Sequence, residues 1–335
     1  MPGAITTEHH DNDATASPSL RGIYHLTHPR SASNLFQNMM AKQPGFQYSG
    51  YKLFDAAFGL MAQLERGPLS GWPEEERKKM YENFEKGFET MQDEIDEAER
   101  NGKKVLLKEH TRFLYAPDRL MRCIYKDDTV EPLIIHERGV PANTPHTNPT
   151  SLPDSFLLQF QPIFQIRNPV LMFPSLVRAQ MDINFVSRPR DLVCQLMLNL
   201  HAPRALYDWY AEQSATSHII PRVIDADDVM NDPATVRLLC TQTGMDPDAV
   251  VYEWEERVVE DPRQARFLST ISKSKGVIKG LDAQGKTVES EMEKWVAEWG
   301  REDAEEMARL VRDAMPDYEY LYSKRTKAGG KSVGE

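Results

Sequence analysis

Nowhere does this 335-residue chain hold an uninterrupted apolar run near the ~18 residues that a membrane span requires. Cysteine is scarce too. The three thiols, Cys123, Cys194 and Cys240, are odd in number and widely spaced, which argues against a disulfide framework and for reduced thiols in a cytosolic protein. Positive charge is in deficit: 40 Lys and Arg stand against 51 Asp and Glu, a net charge of −11. No basic face dominates, so nucleic-acid binding is not expected, and any anion must be held by a local cluster. Residues 1–20 lack the apolar segment of a secretory signal and carry a polar run with His9 and His10, so they read as a disordered tail. No Cys or His spacing suits a metal.

What the chain does hold is 40% hydrophobic residues, enough for a sizeable core, in a length that suits one large α/β domain or two small ones. It is organised around residues 22–36. An apolar run from Gly22 stops at Thr27. His28, Pro29 and Arg30 follow, then the small residues Ser31, Ala32 and Ser33, and then Asn34, Leu35, Phe36, Met39 and Met40 at helical spacing. That is strand, tight loop, helix. Backbone N–H groups of such a loop converge on one point that favours negative charge, and Arg30, Ser31, Ser33 and Asn34 add a cation and neutral donors there. A helix merely capped by Ser31 or Ser33 is the alternative from these residues alone.

The loop resembles the one with which sulfotransferases hold the 5′-phosphate and sulfate of PAPS, usually Thr-x-Pro-Lys/Arg-Ser-Gly-Ser/Thr-Thr. Arg30 falls on the basic position and Ser31 and Ser33 on hydroxyl positions. Ala32 stands where Gly is usual, and Asn34 where a hydroxyl is usual.

Downstream, Phe46 to Gly50 reads as a turn-rich connection, and Tyr51, Phe54 and Phe58 begin a helical pattern. A charged helix follows, with Phe84, Phe88, Met91, Ile95 and Ala98 on one stripe. Lys103 to Lys108 reads as the second strand, with Glu109 and His110 at its carboxyl end, where ligands of open parallel sheets bind. Sulfotransferases commonly carry Lys-Thr-His there, and Lys108-Glu109-His110 is similar. The base is therefore His110 or Glu109, and His110 is favoured because a neutral imidazole suits proton abstraction near pH 7. A short strand is expected at Leu133–Ile135, a third strand at 161–167 and a fourth at 218–225. Helices are expected over 170–180, 191–211 and 287–314, with a mobile tail from Lys324.

The second match is Arg167-Asn168-Pro169, with Ser175 eight residues after Arg167. In sulfotransferases an Arg and a Ser at this spacing hold the 3′-phosphate, which suits a planar bidentate donor. Lys275 and Gly276 resemble part of the family's late Arg-Lys-Gly segment. Gly280 to Thr287 fits the Walker A pattern, but no strand precedes it and too little chain follows to complete a nucleotide fold.

The order of elements argues for a single α/β domain over residues 21–323, three-layered, with a mostly parallel sheet flanked by helices. The resemblance implies a sulfotransferase of the divergent Pro-Arg-Ser branch, with PAPS as co-substrate and PAP as product, and no metal. It implies Arg30, Ser31, Ala32, Ser33, Asn34, Arg167, Ser175, Lys275 and Gly276 at the nucleotide, and His110, Arg30, Glu109 and Lys108 in catalysis. Tyr51, Phe54 and Phe58 would line the pocket of a small-molecule acceptor. No nucleic-acid or membrane partner is implied, and a homodimer is allowed. Two other classes remain open: a PAPS-independent rearrangement or elimination on the same fold, and a nucleotide-binding protein without turnover.

Overall fold

Five parallel strands form one sheet in the order β2-β3-β1-β4-β5. They are β1 (Gly22–Thr27), β2 (Phe46–Ser49), β3 (Lys104–His110), β4 (Phe160–Ile166) and β5 (Arg222–Asp225). The computed structural model describes residues 20–329; the His9-His10 run and the last six residues lie outside them.

Alternation along the strands builds the layers, since successive side chains leave opposite faces. Tyr24, Leu26, Val105 and Leu107 pack with one core, and Ile23, Leu106, Ile163 and Ile224 with the other. Both faces are apolar, as a parallel sheet requires. Helix α1 (Ser33–Met39) covers the second face with Leu35, Phe36 and Met39. The first face meets α3 (Glu74–Arg100), whose stripe Phe84, Phe88, Met91, Ile95 and Ala98 is buried as its spacing predicts. Between them in sequence lies α2 (Phe54–Met61). The later helices are α4 (Pro169–Asp182), α5 (His201–Ser217), α6 (Pro233–Thr243), α7 (Pro262–Ser272), α8 (Val288–Trp299) and α9 (Arg301–Ser323), with shorter turns between.

Five expectations change. The helix expected over 191–211 is two, Leu192–Met197 and His201–Ser217. Residues 46–49 form an edge strand on β3, not a turn. Leu133–Ile135 makes no strand. Ile135 N donates to the Ser151 carbonyl at 2.9 Å, but no ladder continues from it. The helix expected over 287–314 is two helices, because Gly300 between α8 and α9 takes φ 83°, a conformation that favours glycine. The described part of the C-terminal segment is tied down. Thr326 N donates to the Val223 carbonyl at 2.8 Å, and Arg325 and Lys327 pair with Asp228 at 2.9 and 2.7 Å.

Candidate functional site

Register brings the chemistry to one edge. Thr27 lies opposite His110 on one side and Gln165 on the other, and Ile166 opposite Asp225, so four strands end together. The site stands at this carboxyl edge, beside β1, where the chain turns from one side of the sheet to the other.

The loop after β1 is a tight cradle. Ser31 N donates to the His28 carbonyl at 3.2 Å, and both Arg30 and Ala32 are left-handed, with φ 68° and 62°. Ala32 keeps the path that glycine favours although it carries a Cβ, at a strain of about 1–2 kcal/mol. Gln165 braces the loop: its Nε2 donates to the Ser31 carbonyl at 2.7 Å, while its Oε1 lies 2.8 Å from His25 Nε2. Ser31 is wholly buried, and its Oγ has no partner.

Arg30, Arg167 and Ser175 come together. Arg30 Nε donates to Ser175 Oγ at 3.0 Å and its Nη1 to the Phe267 carbonyl on α7 at 2.7 Å. Arg167 donates to the carbonyls of Arg30 at 3.0 Å and Leu281 at 2.7 Å, leaving Nε enclosed without a partner. Among the described residues these guanidiniums hydrogen-bond to neutral oxygens only, with Asp227 and Asp225 near Arg167 but not bonded to it. Burial, then Arg266 and Arg167, pull Arg30 down to about 10. An arrangement of cations held by neutral acceptors is suited to receiving an anion.

The three residues ending β3 divide the work. Lys108 runs beneath α1, where Nζ donates to Asn34 Oδ1 at 2.6 Å and Gln37 Oε1 at 3.1 Å. Its burial, and then Arg257, lower it to about 7. That bond leaves the amide nitrogen of Asn34 free to donate. Glu109 is also buried, and its Oε1 accepts from the backbone N–H groups of Lys52 and Leu53, the latter at 3.0 Å. Burial pushes it up to about 8 against those donors.

His110 faces the other way, with Nδ1 2.6 Å from Thr27 Oγ1. The Thr27 hydroxyl also lies 3.2 Å from the Glu109 carbonyl, which can only accept. With the hydroxyl proton directed there, His110 donates from Nδ1 and keeps its lone pair on Nε2. Burial, then Lys108, hold the imidazole well below its ordinary value, so it is neutral.

An aromatic wall runs outward from the imidazole. Tyr51 lies 4.7 Å from His110 between ring centres, and its ring stands 5.3 Å from Lys108 Nζ. Phe113 follows at 5.1 Å from His110, then Phe54, Phe58 and Phe185 at successive separations of 5.3, 5.4 and 4.3 Å. Phe54 is 41% exposed, which a core residue would not be. Beyond Phe185 opens a cavity of about 540 Å³ lined by Met61, Leu64, Arg66 and Val193.

Lys275 and Gly276 are not drawn into these contacts. The Lys275 side chain is exposed, 3.7 Å from Glu256, and Gly276 bridges to Glu253. The chain on either side of them reaches the cluster instead, through Phe267 and Leu281. The Walker-like stretch has a structural use: Thr287 caps α8 reciprocally with Ser290, and Lys286 pairs with Glu291 at 3.1 Å. Sequence reasoning missed Thr27 as a partner of His110, Gln165 as a brace, and Phe113 and Phe185 in the wall. Backbone carbonyl acceptors leave no sequence signal. Arg112 did leave one, since it lies two residues past His110. Among the described residues no group of His, Cys, Asp and Glu could hold a metal ion.

Two curated proteins are similar along nearly their whole length. One is Sulfotransferase ppzF of Metarhizium majus, 32% identical over 91% of this chain and 96% of that protein. The other is Sulfotransferase ppzF of Metarhizium rileyi, 32% identical over 94% of this chain and 99% of that protein. No family model matches the chain. No solved structure matches it either. With this identity over nine-tenths of its length, on a parallel α/β sheet, the chain belongs to the sulfotransferase family.

Proposed function

We propose that the enzyme transfers the sulfuryl group of PAPS to a hydroxyl or amine of a small molecule and releases PAP. The observation that carries this is the meeting of Arg30, Arg167 and Ser175 at one end of the cradle with the neutral His110 at the other. The donor set fits a doubly phosphorylated nucleotide. Arg167, with an unused Nε, and Ser175 suit the 3′-phosphate, and the loop residues Ser31, Ala32, Ser33 and Asn34 suit the 5′-phosphate.

Sulfuryl transfer, like phosphoryl transfer, is in-line, with charge on the equatorial and leaving oxygens, so positioned cations supply much of the catalysis. His110 Nε2 takes the proton of the acceptor as its oxygen or nitrogen bonds to sulfur. The bond from sulfur to the 5′-phosphate oxygen breaks, and Arg30 and Lys108 meet the charge left behind. Tyr51, Phe54 and Phe58 hold the acceptor against the imidazole. Glu109 stands apart from this step because its side chain leaves β3 on the face opposite His110, where Oε1 is engaged by the 52–53 backbone and Oε2 is enclosed without a partner among the described residues.

Titration calorimetry tests the donor. PAP should bind at least tenfold more tightly than ATP, which lacks the 3′-phosphate, and Arg167→Ala should remove about tenfold or more of that affinity through lost charge-assisted bonds. Equal affinity for the two nucleotides would sink the reading.

A further inference from the structure

One buried cation has no task in the transfer just described. Arg112 sits in the short helical turn Thr111–Leu114 that follows β3 and is 6% exposed. Its Nη2 donates to the Met197 carbonyl and to His28 Nε2. Nε is enclosed with no partner, and Nη1 makes no hydrogen bond among the described residues yet is not enclosed. Among the described residues no carboxylate pairs with it. The guanidinium therefore carries a full charge out of water with neutral partners on one nitrogen only, an arrangement that is strongly unfavourable unless an anion completes it.

Arg30 and Arg167 also donate to neutral oxygens, each from two nitrogens, but they lie on the side of Ser175, α7 and Leu281, where the nucleotide is proposed. Arg112 instead reaches the edge from the end of β3, with His28 and the Met197 carbonyl as its partners. It follows His110 by two residues, touches the 197–199 segment through Met197, and neighbours Phe113 of the aromatic wall. It is close enough to His110 to lower that imidazole's basicity.

We propose that Arg112 is the binding site for a carboxylate carried by the acceptor, so that the substrate is an anionic hydroxy or amino compound with an apolar, ring-bearing body. This rests on the sulfotransferase reading above, and the pairing also explains how an enzyme with a net charge of −11 admits an anionic substrate beside an anionic donor. A bidentate Arg–carboxylate contact is charge-assisted and directional, so it fixes which end of the molecule faces His110.

The test uses two probes with one ring and one hydroxyl, para-hydroxyphenylacetate and its neutral alcohol counterpart tyrosol. Calorimetry is run on the PAP-loaded protein. The carboxylate probe should bind about tenfold or more tightly than the alcohol, and Arg112→Gln should abolish the difference while leaving PAP affinity within about twofold. Arg112→Lys should retain part of the preference. Equal binding, or no binding, of the two probes to the wild type overturns the proposal without any variant having to fold. So does an Arg112→Gln protein that keeps the preference, or one that loses PAP affinity instead, which would give Arg112 to the nucleotide. Failure of PAP to bind the wild type would show up separately and count against the donor, since the probe pair can also be measured without nucleotide.

Discussion

Thr27 Oγ1 lies 2.6 Å from His110 Nδ1, and the two residues stand opposite each other in the β1–β3 register. A parallel ladder thus sets the tautomer of an imidazole. The Thr27 hydroxyl has one proton and two neighbours that can accept it, and the Glu109 carbonyl accepts only. The arrangement that satisfies both partners leaves the Nε2 lone pair for a substrate.

That relationship makes a graded prediction about turnover. His110→Ala should lower kcat by roughly 10²–10⁴-fold, the usual worth of a general base, with PAP affinity intact. Thr27→Val keeps the shape and removes only the tautomer control, so it should lower kcat by a smaller factor and leave the acceptor KM near the wild type. Steady-state kinetics with a responsive acceptor decide it. A Thr27→Val enzyme with unchanged kcat would remove Thr27 from the mechanism.

Ala32 allows a sharper check on the loop. Its φ of 62° costs an alanine about 1–2 kcal/mol that a glycine does not bear, while glycine frees the unfolded chain by about 0.4–1 kcal/mol. Ala32→Gly should therefore be neutral to about 1 kcal/mol more stable in urea denaturation, with PAP affinity retained. A clear loss of stability would mean that the loop does not hold this conformation in solution.

Much of this site was legible because its parts are side chains at fixed spacing. Arg30, Arg167 and Ser175 lie far apart in the chain, 145 positions between Arg30 and Ser175, yet each sits at a strand end or helix start that the apolar pattern marks. What was not legible depends on tertiary contact. Residues 46–49 look like a turn because Gly45 and Gly50 bracket only four residues, and pairing with β3 makes them a strand. The 287–314 pattern hides Gly300, since charge runs on both sides of it. Imidazole chemistry favours His110 over Glu109 as the base, but chemistry alone does not show what each side chain touches. Alternation along the strand separates them, and only the backbone of residues 52–53 reveals which one is already engaged.

Acid should weaken the fold through its histidines. His25 is wholly buried, and burial, then Lys108, lower it to about 3; His28 and His110 are lowered in the same direction. The sign follows from proton counting. Below the ordinary value of 6.5 the unfolded chain binds protons that the folded chain refuses, so stability present above pH 6.5 is lost as pH falls towards 3. His25 steepens the fall by about 1.4 kcal/mol per pH unit within that window, and His28 and His110 act in the same direction. Urea midpoints at successive pH values should decline accordingly, and His25→Gln should flatten the decline below pH 6. Parallel curves for that variant and the wild type would show that His25 is not neutral in the folded protein.

The last prediction concerns the turn that presents the aromatic wall. Glu109 Oε1 holds the N–H groups of Lys52 and Leu53 from the β3 side. From the other side α3 comes so close that a Cβ on Gly87 would lie 2.5 Å from the Lys52 carbonyl oxygen and 2.7 Å from Leu53 Cδ2. Lys52 is fixed further by Glu94, 2.7 Å from its Nζ. The segment is thus clamped between a strand and a helix, and it carries Tyr51 and Phe54 at its two ends. Neither clamp hydrogen-bonds to the residues proposed for the nucleotide. Gly87→Ala must push the turn away from α3, because the Lys52 carbonyl oxygen is backbone and cannot rotate aside. It should raise the acceptor KM several-fold while PAP affinity stays within about twofold, since cramped backbone shifts typically cost 1–3 kcal/mol. Glu109→Gln should act on the same parameter more mildly, because an amide oxygen can still accept one of the two N–H bonds. Loss of kcat in Glu109→Gln, with KM unchanged and His110→Ala nearly normal, would instead make Glu109 the base.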